Sequence, residues 1–217
     1  FLEPISQFMK EGKEFFSFAI GFQAIIWGVV TFGLGILIDK FGPQKVLAFG
    51  IICFASGIFL MSNPANQLTL FSATTLMGFG LGGAGMATMV SIAGKVAPPE
   101  KRSLAMGLIA AAASFGQFAV VLPTMWMNKE FGWETSLVVL STISISLLLL
   151  LPLLNNTNVT NNKKEEFQNS LQNTLMFSLK ERNYILLIMG FFVCGFHVTF
   201  IALHLPADLM FKGISAE

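Results

Sequence analysis

Residues 15–38 read FFSFAIGFQAIIWGVVTFGLGILI, and residues 39–45 close the run with DKFGPQK. The first string holds 24 residues without one Asp, Glu, Lys or Arg, and the second holds three charges in seven. A bilayer's hydrocarbon core is about 30 Å thick, and roughly 20 apolar residues cross it at about 1.5 Å per residue. The run is long enough to span, and the charges mark where it leaves. Segments of a membrane β-barrel alternate polar and apolar residues over about ten positions, whereas this run is continuous.

Five more stretches repeat the pattern, at about 46–62, 68–94, 103–127, 135–154 and 184–206. All 13 basic and all 12 acidic residues fall in the connections. A charge at a helix centre costs only about 2.5–3.5 kcal/mol, so exclusion from six stretches at once is a strong pattern. Composition agrees: 54% of the chain is apolar and 12% charged, where soluble domains carry about 25% charge. The mean hydropathy is +0.71. A small soluble domain exposes too much surface to hide so many apolar side chains. The fold class read here is all-α, a polytopic membrane bundle. Cys53 and Cys194 sit inside apolar stretches and read as small packing residues, without the number or spacing of a metal site or disulfide framework. Neither a metal nor a cofactor is expected. The net charge of +1 and the lack of a basic run point away from nucleic acid. No cleavable leader is visible, and a chain opening on Phe1 is expected to begin inside a longer one.

Lysine and arginine orient the bundle. Lys40, Lys45, Lys95, Lys101, Arg102, Lys163, Lys164, Lys180 and Arg182 fall on one side; Lys10, Lys13, Lys129 and Lys212 fall on the other. The positive-inside rule puts the larger group in the cytoplasm, across a cell (inner) membrane. Residues 155–183 are polar and asparagine-rich, and that composition cannot bury a core. They divide an N-terminal bundle, 1–154, from a last span and outer loop, 184–217. Asn155 and Asn158 match a glycosylation pattern, but a cytoplasmic linker would not meet that machinery. Residues 167–180 are mildly amphipathic and suit a membrane surface.

The first cytoplasmic turn reads Gly35-Ile-Leu-Ile-Asp39-Lys40-Phe-Gly42-Pro-Gln-Lys45. Taken alone it is a tight basic turn with one acid at a helix end, in which Gly42 permits a backbone that other residues resist. As a whole it resembles the signature between the second and third helices of the major facilitator superfamily. That signature is Gly, three residues, Asp, a basic residue, any residue, Gly, any residue and two basic residues. Gly35, Asp39, Lys40, Gly42 and Lys45 match, while Gln44 replaces the first basic residue of the closing pair. Pro98-Pro-Glu-Lys-Arg102-Ser-Leu-Ala-Met-Gly107 is similar to the loop into the family's fifth helix. Gly132-Trp133-Glu134 is similar to the Gly-Trp-Arg that opens the sixth, with Glu134 in place of Arg. Phe1-Leu-Glu-Pro4 and the stretch from Gly195-Phe-His197 to His204-Leu-Pro206 look closest to the monocarboxylate and oxalate/formate branch. On this register the six stretches are helices two to seven of twelve. The resemblance implies a gate turn built on Gly35, Asp39, Lys40, Gly42 and Lys45 with Arg102 nearby, the Asp facing a helix N-terminus across the two halves. A chain with only these helices is expected not to transport by itself.

Within the spans, ionisable residues are expensive and so are candidates for function. His197 and His204 stand seven apart, two turns along one helix face, and would meet an anionic solute or take part in proton coupling; the alternative is a neutral histidine bonded to a neighbouring helix. Gln23 and Gln117 are further cavity candidates, with an interhelical hydrogen bond of about 0.6 kcal/mol as the alternative. Trp27 and Phe115 lie within a turn of them, where lipid contact explains them equally well. Gly78-Phe-Gly80-Leu-Gly82-Gly83 contains GxGxxG, but in an uncharged span it is no dinucleotide loop. Gly78 and Gly82 read as close helix packing, continued by Gly107 with Ala111 and Ala112 with Gly116 on the next span. Pro123 and Pro152 sit near span ends. The run Leu147–Leu151 is expected to face lipid.

Three functions compete. A transporter would rock two six-helix halves about a midplane site; the resemblance implies a small organic anion such as a monocarboxylate, with proton coupling open, in a monomer surrounded by lipid. A membrane enzyme would need paired acids, ligand clusters or a nucleophile beside a base. A channel would need a filter loop or a charged ring. Neither set of residues is seen here.

Overall fold

A computed structural model describes residue 5, residues 13–154 and residues 180–211, all in helices or their connecting turns, with no strand among the described residues. The chain forms two compact units, Phe1–Thr160 and Asn161–Glu217. Most of the linker read at 155–183, the amphipathic 167–180 and Phe1–Pro4 lie outside the described residues.

In the first unit, α1 runs Lys13–Phe41 and α2 runs Pro43–Met61. Then come α3, Gln67–Ala84, and α4, Met86–Val96. A 3-10 turn at Pro99–Lys101 leads into α5, Arg102–Ser146, and a second 3-10 stretch, Leu147–Leu154, follows it. Local chemistry sets the starts. Pro43 occupies the first turn of α2, where its missing N–H is no loss. Asn66 caps α3, its Oδ1 accepting from the Thr69 backbone N–H at 2.8 Å and from Thr69 Oγ1 at 2.9 Å.

Among the described residues, five stretches are long and apolar enough to cross a membrane: Phe15–Ile38, Pro43–Met61, Gln67–Val96, Pro99–Leu153 and Arg182–Ile201. The count differs from the six of the sequence because 103–127 and 135–154 run together in α5. A helix of 45 residues would be about 67 Å long, twice the hydrocarbon thickness. It is broken at Gly132, whose φ of 82° and ψ of 165° are not helical. The break falls at the Gly-Trp-Glu that the sequence marks as a helix opening. A second interruption was not anticipated: the stretch 68–94 divides at Gly85 into α3 and α4.

Glycine contact assembles the core. A Cβ on Gly78 would lie 2.9 Å from Ile26 Cγ2, and one on Gly82 2.7 Å from Val30 Cγ1, so these two glycines seat α3 on α1. The other face of α3 does the same toward α2. A Cβ on Gly80 would lie 2.6 Å from Phe54 Cα, and one on Gly83 2.7 Å from Gly50 Cα. In the absence of a hydrophobic force between helices in lipid, such close approach is what holds them. By contrast, a Cβ on Gly107 or Gly116 would meet nothing within 4 Å, so the packing expected there finds no partner among the described residues.

Two apolar clusters lie at opposite ends. One gathers Phe16, Ala19, Ile58, Met61, Leu70, Ala73 and Leu137; the other, Leu34, Ile38, Val46, Leu47, Ile51, Ile92 and Leu151. The 133–146 part of α5 packs through its serine side: Ser136 is fully buried, and Ser141 Oγ donates to the Ala55 carbonyl at 2.8 Å. Of the run expected to face lipid, Leu147, Leu149 and Leu150 are exposed, but Leu151 is buried in the second cluster with Leu148 packed against it, because this stretch turns one side onto α1 and α2. The second unit holds α6, Arg182–Phe211, exposed along 182–201.

Candidate functional site

The turn between α1 and α2 is built by one residue. Gly42 has φ 86° and ψ 156°, a conformation that L side chains rarely adopt, and its N–H donates to the Ile38 carbonyl at 2.9 Å. That bond closes the last turn of α1, and the positive φ turns the chain into α2. Asp39 lies in this last turn, followed by Lys40, whose exposed ammonium stands 5.3 Å from the centre of the Phe41 ring. Lys45 and Arg102 are exposed as well, Arg102 opening α5. Ile38, Val46, Leu47, Ile92 and Leu151 share one cluster, which draws the turn, α4 and the 147–154 stretch to the same end of the unit.

Gln44, read in the sequence as a lost charge, does something neutral. Its Nε2 donates to the carbonyl of Leu151 at 3.1 Å. Leu151 stands near the end of the Leu147–Leu154 stretch, and the last carbonyls of a helix lack intrahelical donors. This turn therefore caps the end of the last helical stretch of the unit. Gln44→Leu is expected to cost about 1 kcal/mol, seen as a lower thermal midpoint in detergent, while Gln44→Arg keeps a donor and retains the wild-type value.

Gln23 is 9% exposed in α1, beside the α3 contact at Gly78, and its Oε1 is buried without a hydrogen-bond partner among the described residues. Gln117 is exposed on the 102–131 part of α5, and the two are not joined. Trp27 is 40% exposed and Phe115 69%. In the second unit His197 is exposed, its Nδ1 3.2 Å from the Val193 carbonyl, and His204 lies two turns further along α6. Glu134, standing where the resemblance expects Arg, lines an open cleft of about 520 Å³ with Ser62, Asn63, Thr135 and Val138. Among the described residues no group of three His, Cys, Asp or Glu could hold a metal ion.

Comparison with known proteins is consistent on the family. The family model described as Major Facilitator Superfamily matches residues 5–215. An MFS-type transporter of Bacillus subtilis, YcxA, is 23% identical over 94% of this chain and 51% of its own length. NiaP of the same organism, named for niacin and nicotinamide transport, is 24% identical over 85% of this chain and 46% of its own. The agnestins efflux protein AgnL12 of Paecilomyces divaricatus is 26% identical over 81% of this chain and 38% of its own. The chain thus spans about half the length, or less, of these relatives. No solved structure matches it significantly.

Proposed function

This chain belongs to the major facilitator superfamily, and from that premise we propose that the protein carrying it is a secondary transporter of a small organic solute working by alternating access. The observation that carries the reading is the Gly35–Lys45 turn: an acid between two membrane helices, in a backbone bend that only Gly42 makes easily, tied by Gln44 to Leu151. We assign the inner gate to Asp39, Lys40, Lys45 and Arg102, with this end of the bundle in the cytoplasm, as the lysine distribution favours. The solute class is a small organic anion. The resemblance of 195–206 to the monocarboxylate branch supports it, while the name of NiaP, which covers the carboxylate niacin and the neutral amide nicotinamide, supports only a small organic solute. Gln23, Gln117, His197 and His204 are the proposed solute-facing groups, with a histidine suited to carry a coupled proton.

The test is uptake by the complete protein in proteoliposomes, with a panel of labelled small carboxylates offered with and without an inward proton gradient. Concentrative uptake of at least one carboxylate is the expected result. A response confined to neutral or cationic solutes would overturn the anion assignment. His197→Ala should shift the apparent affinity or its pH dependence; wild-type kinetics across pH would return His197 to packing.

A further inference from the structure

α2 spans 19 residues, Pro43–Met61, about 28 Å of helix, which is close to the thickness of the hydrocarbon core. Ser62 and Asn63, at the end away from the Gly35–Lys45 turn, therefore stand where acyl chains give way to headgroups. Gly132 breaks α5 at the same end, and its non-helical backbone sets Glu134 in the first turn of the part that packs beside α2. Ser62, Asn63, Glu134, Thr135 and Val138 line one open cleft of about 520 Å³. Glu134 is exposed there. The Ser62 hydroxyl is already committed to the Phe59 carbonyl, at 2.7 Å. What the cleft offers a ligand is thus a carboxylate, which calls for a cation, beside the Asn63 amide and the Thr135 hydroxyl, which can donate to an anion.

The surfaces leading away from the cleft are apolar and open. Phe49, Ile52 and Phe59 are exposed on the side of α2 that ends at Asn63, and Val138 and Ile145 on the side of α5 that begins at Glu134. Helices approach one another in lipid through small residues, and the small residues that do this work here face the other way. Gly50 and Gly57 set α2 against α3, and Ser141 of α5 donates to the Ala55 carbonyl. Stripes dominated by aromatic and branched side chains suit fluid acyl chains better than a further closely packed helix.

We propose that the cleft is a headgroup site for a phospholipid with a primary ammonium, of the phosphatidylethanolamine class. Its nitrogen donates to the Glu134 carboxylate, its phosphate accepts from Asn63 and Thr135, and its chains lie along the exposed stripes of α2 and α5. An anionic lipid would set its charge against Glu134, and a choline headgroup has no N–H to donate. Glu134 also favours its own helix by standing in the first turn, but that effect is indifferent to the lipid. The site lies apart from the residues assigned to gate and solute, and it does not depend on the transport reading.

The experiment titrates the complete protein in detergent with dioleoyl lipids that share chains and phosphate and differ only at nitrogen. These are phosphatidylethanolamine, its N-methyl and N,N-dimethyl forms, and phosphatidylcholine, with retained lipid measured by native mass spectrometry. The wild type should retain the primary amine about tenfold more strongly than phosphatidylcholine, the effect of one charge-assisted hydrogen bond, with the methylated forms between them. Glu134→Gln should abolish the preference. Glu130→Gln, at an exposed glutamate that does not line the cleft, should keep it. A photoreactive group on the ethanolamine should label the segments around residues 62–63 and 134–138. Glycerophosphoethanolamine, the headgroup without chains, should not displace the lipid. Equal retention across the series, a preference that survives Glu134→Gln or is lost equally in Glu130→Gln, or labelling elsewhere would each overturn the site. Displacement by the soluble headgroup would overturn the lipid as its occupant. If Glu134→Gln does not purify, the methylation series and the labelling of the wild type decide alone.

Discussion

Gly80→Leu is expected to leave a chain that inserts into the membrane but does not assemble its first unit. A Cβ at this position would come within 2.6 Å of Phe54 Cα and of Phe54 N. The obstacle is backbone on a facing helix, so no rotamer change relieves it and α2 must move away. Every other contact of that interface moves with it, including the reciprocal approach of Gly50 and Gly83, where a Cβ on either would stand 2.8 or 2.7 Å from the other's Cα. Overpacking costs about 1–3 kcal/mol where a core can adjust, and lipid supplies no hydrophobic force to draw displaced helices back. Gly80→Ala should therefore lose about 1–3 kcal/mol, and leucine should go beyond what the unit can absorb. Gly28→Ala is the control, since a Cβ there meets nothing within 4 Å. Thermal midpoints and monodispersity of the chain in detergent decide the matter. Equal midpoints for the residue 80 and residue 28 alanine variants would mean that the two helices do not meet as described.

Much of this architecture was legible because a bilayer imposes one simple demand, that charges stay out. That demand located the apolar stretches and the breaks between most of them. Gly132 was legible for the same reason, with Glu130 and Glu134 flanking it. Gly85 was not: its neighbours Met86, Ala87 and Thr88 are uncharged and ordinary in helices, and nothing local announces an extended residue there. Spacing four apart found Gly78 and Gly82, which do face α1. It missed Gly80 and Gly83, which serve a second helix on the opposite face, and it suggested Gly107 and Gly116, which stand open among the described residues. Small-residue spacing shows where a helix can be approached, not whether another helix arrives. The bond made by Gln44 was out of reach for a different reason. Its partner is a backbone carbonyl 107 positions away, and comparison with a charged signature counts only the charge that is missing. Among the cavity candidates, burial and an unpartnered Oε1 single out Gln23, whereas Gln117 is exposed and keeps only its place in the sequence.

Asp39→Asn should separate stability from transport, moving the two in opposite directions or moving transport alone. Asp39 lies in the last turn of α1, where the carbonyl ends of the helix already carry partial negative charge. A carboxylate there works against its own helix by about 0.3–1 kcal/mol, and an amide of the same shape removes that cost. On local grounds alone the Asn variant should be as stable as wild type or slightly more so. The proposed partner that would offset this local cost is a helix N-terminus across the gate, where negative charge is favourable. Without it the inner gate closes less well, and uptake by the complete protein should fall at least about tenfold, the effect of some 1.4 kcal/mol. Asp39→Glu keeps the charge on a longer stem and should retain part of the activity. Membrane insertion and detergent melting of each variant are measured beside uptake. Full uptake in the Asn variant would remove Asp39 from the gate, and a large loss of stability would place its role within this unit.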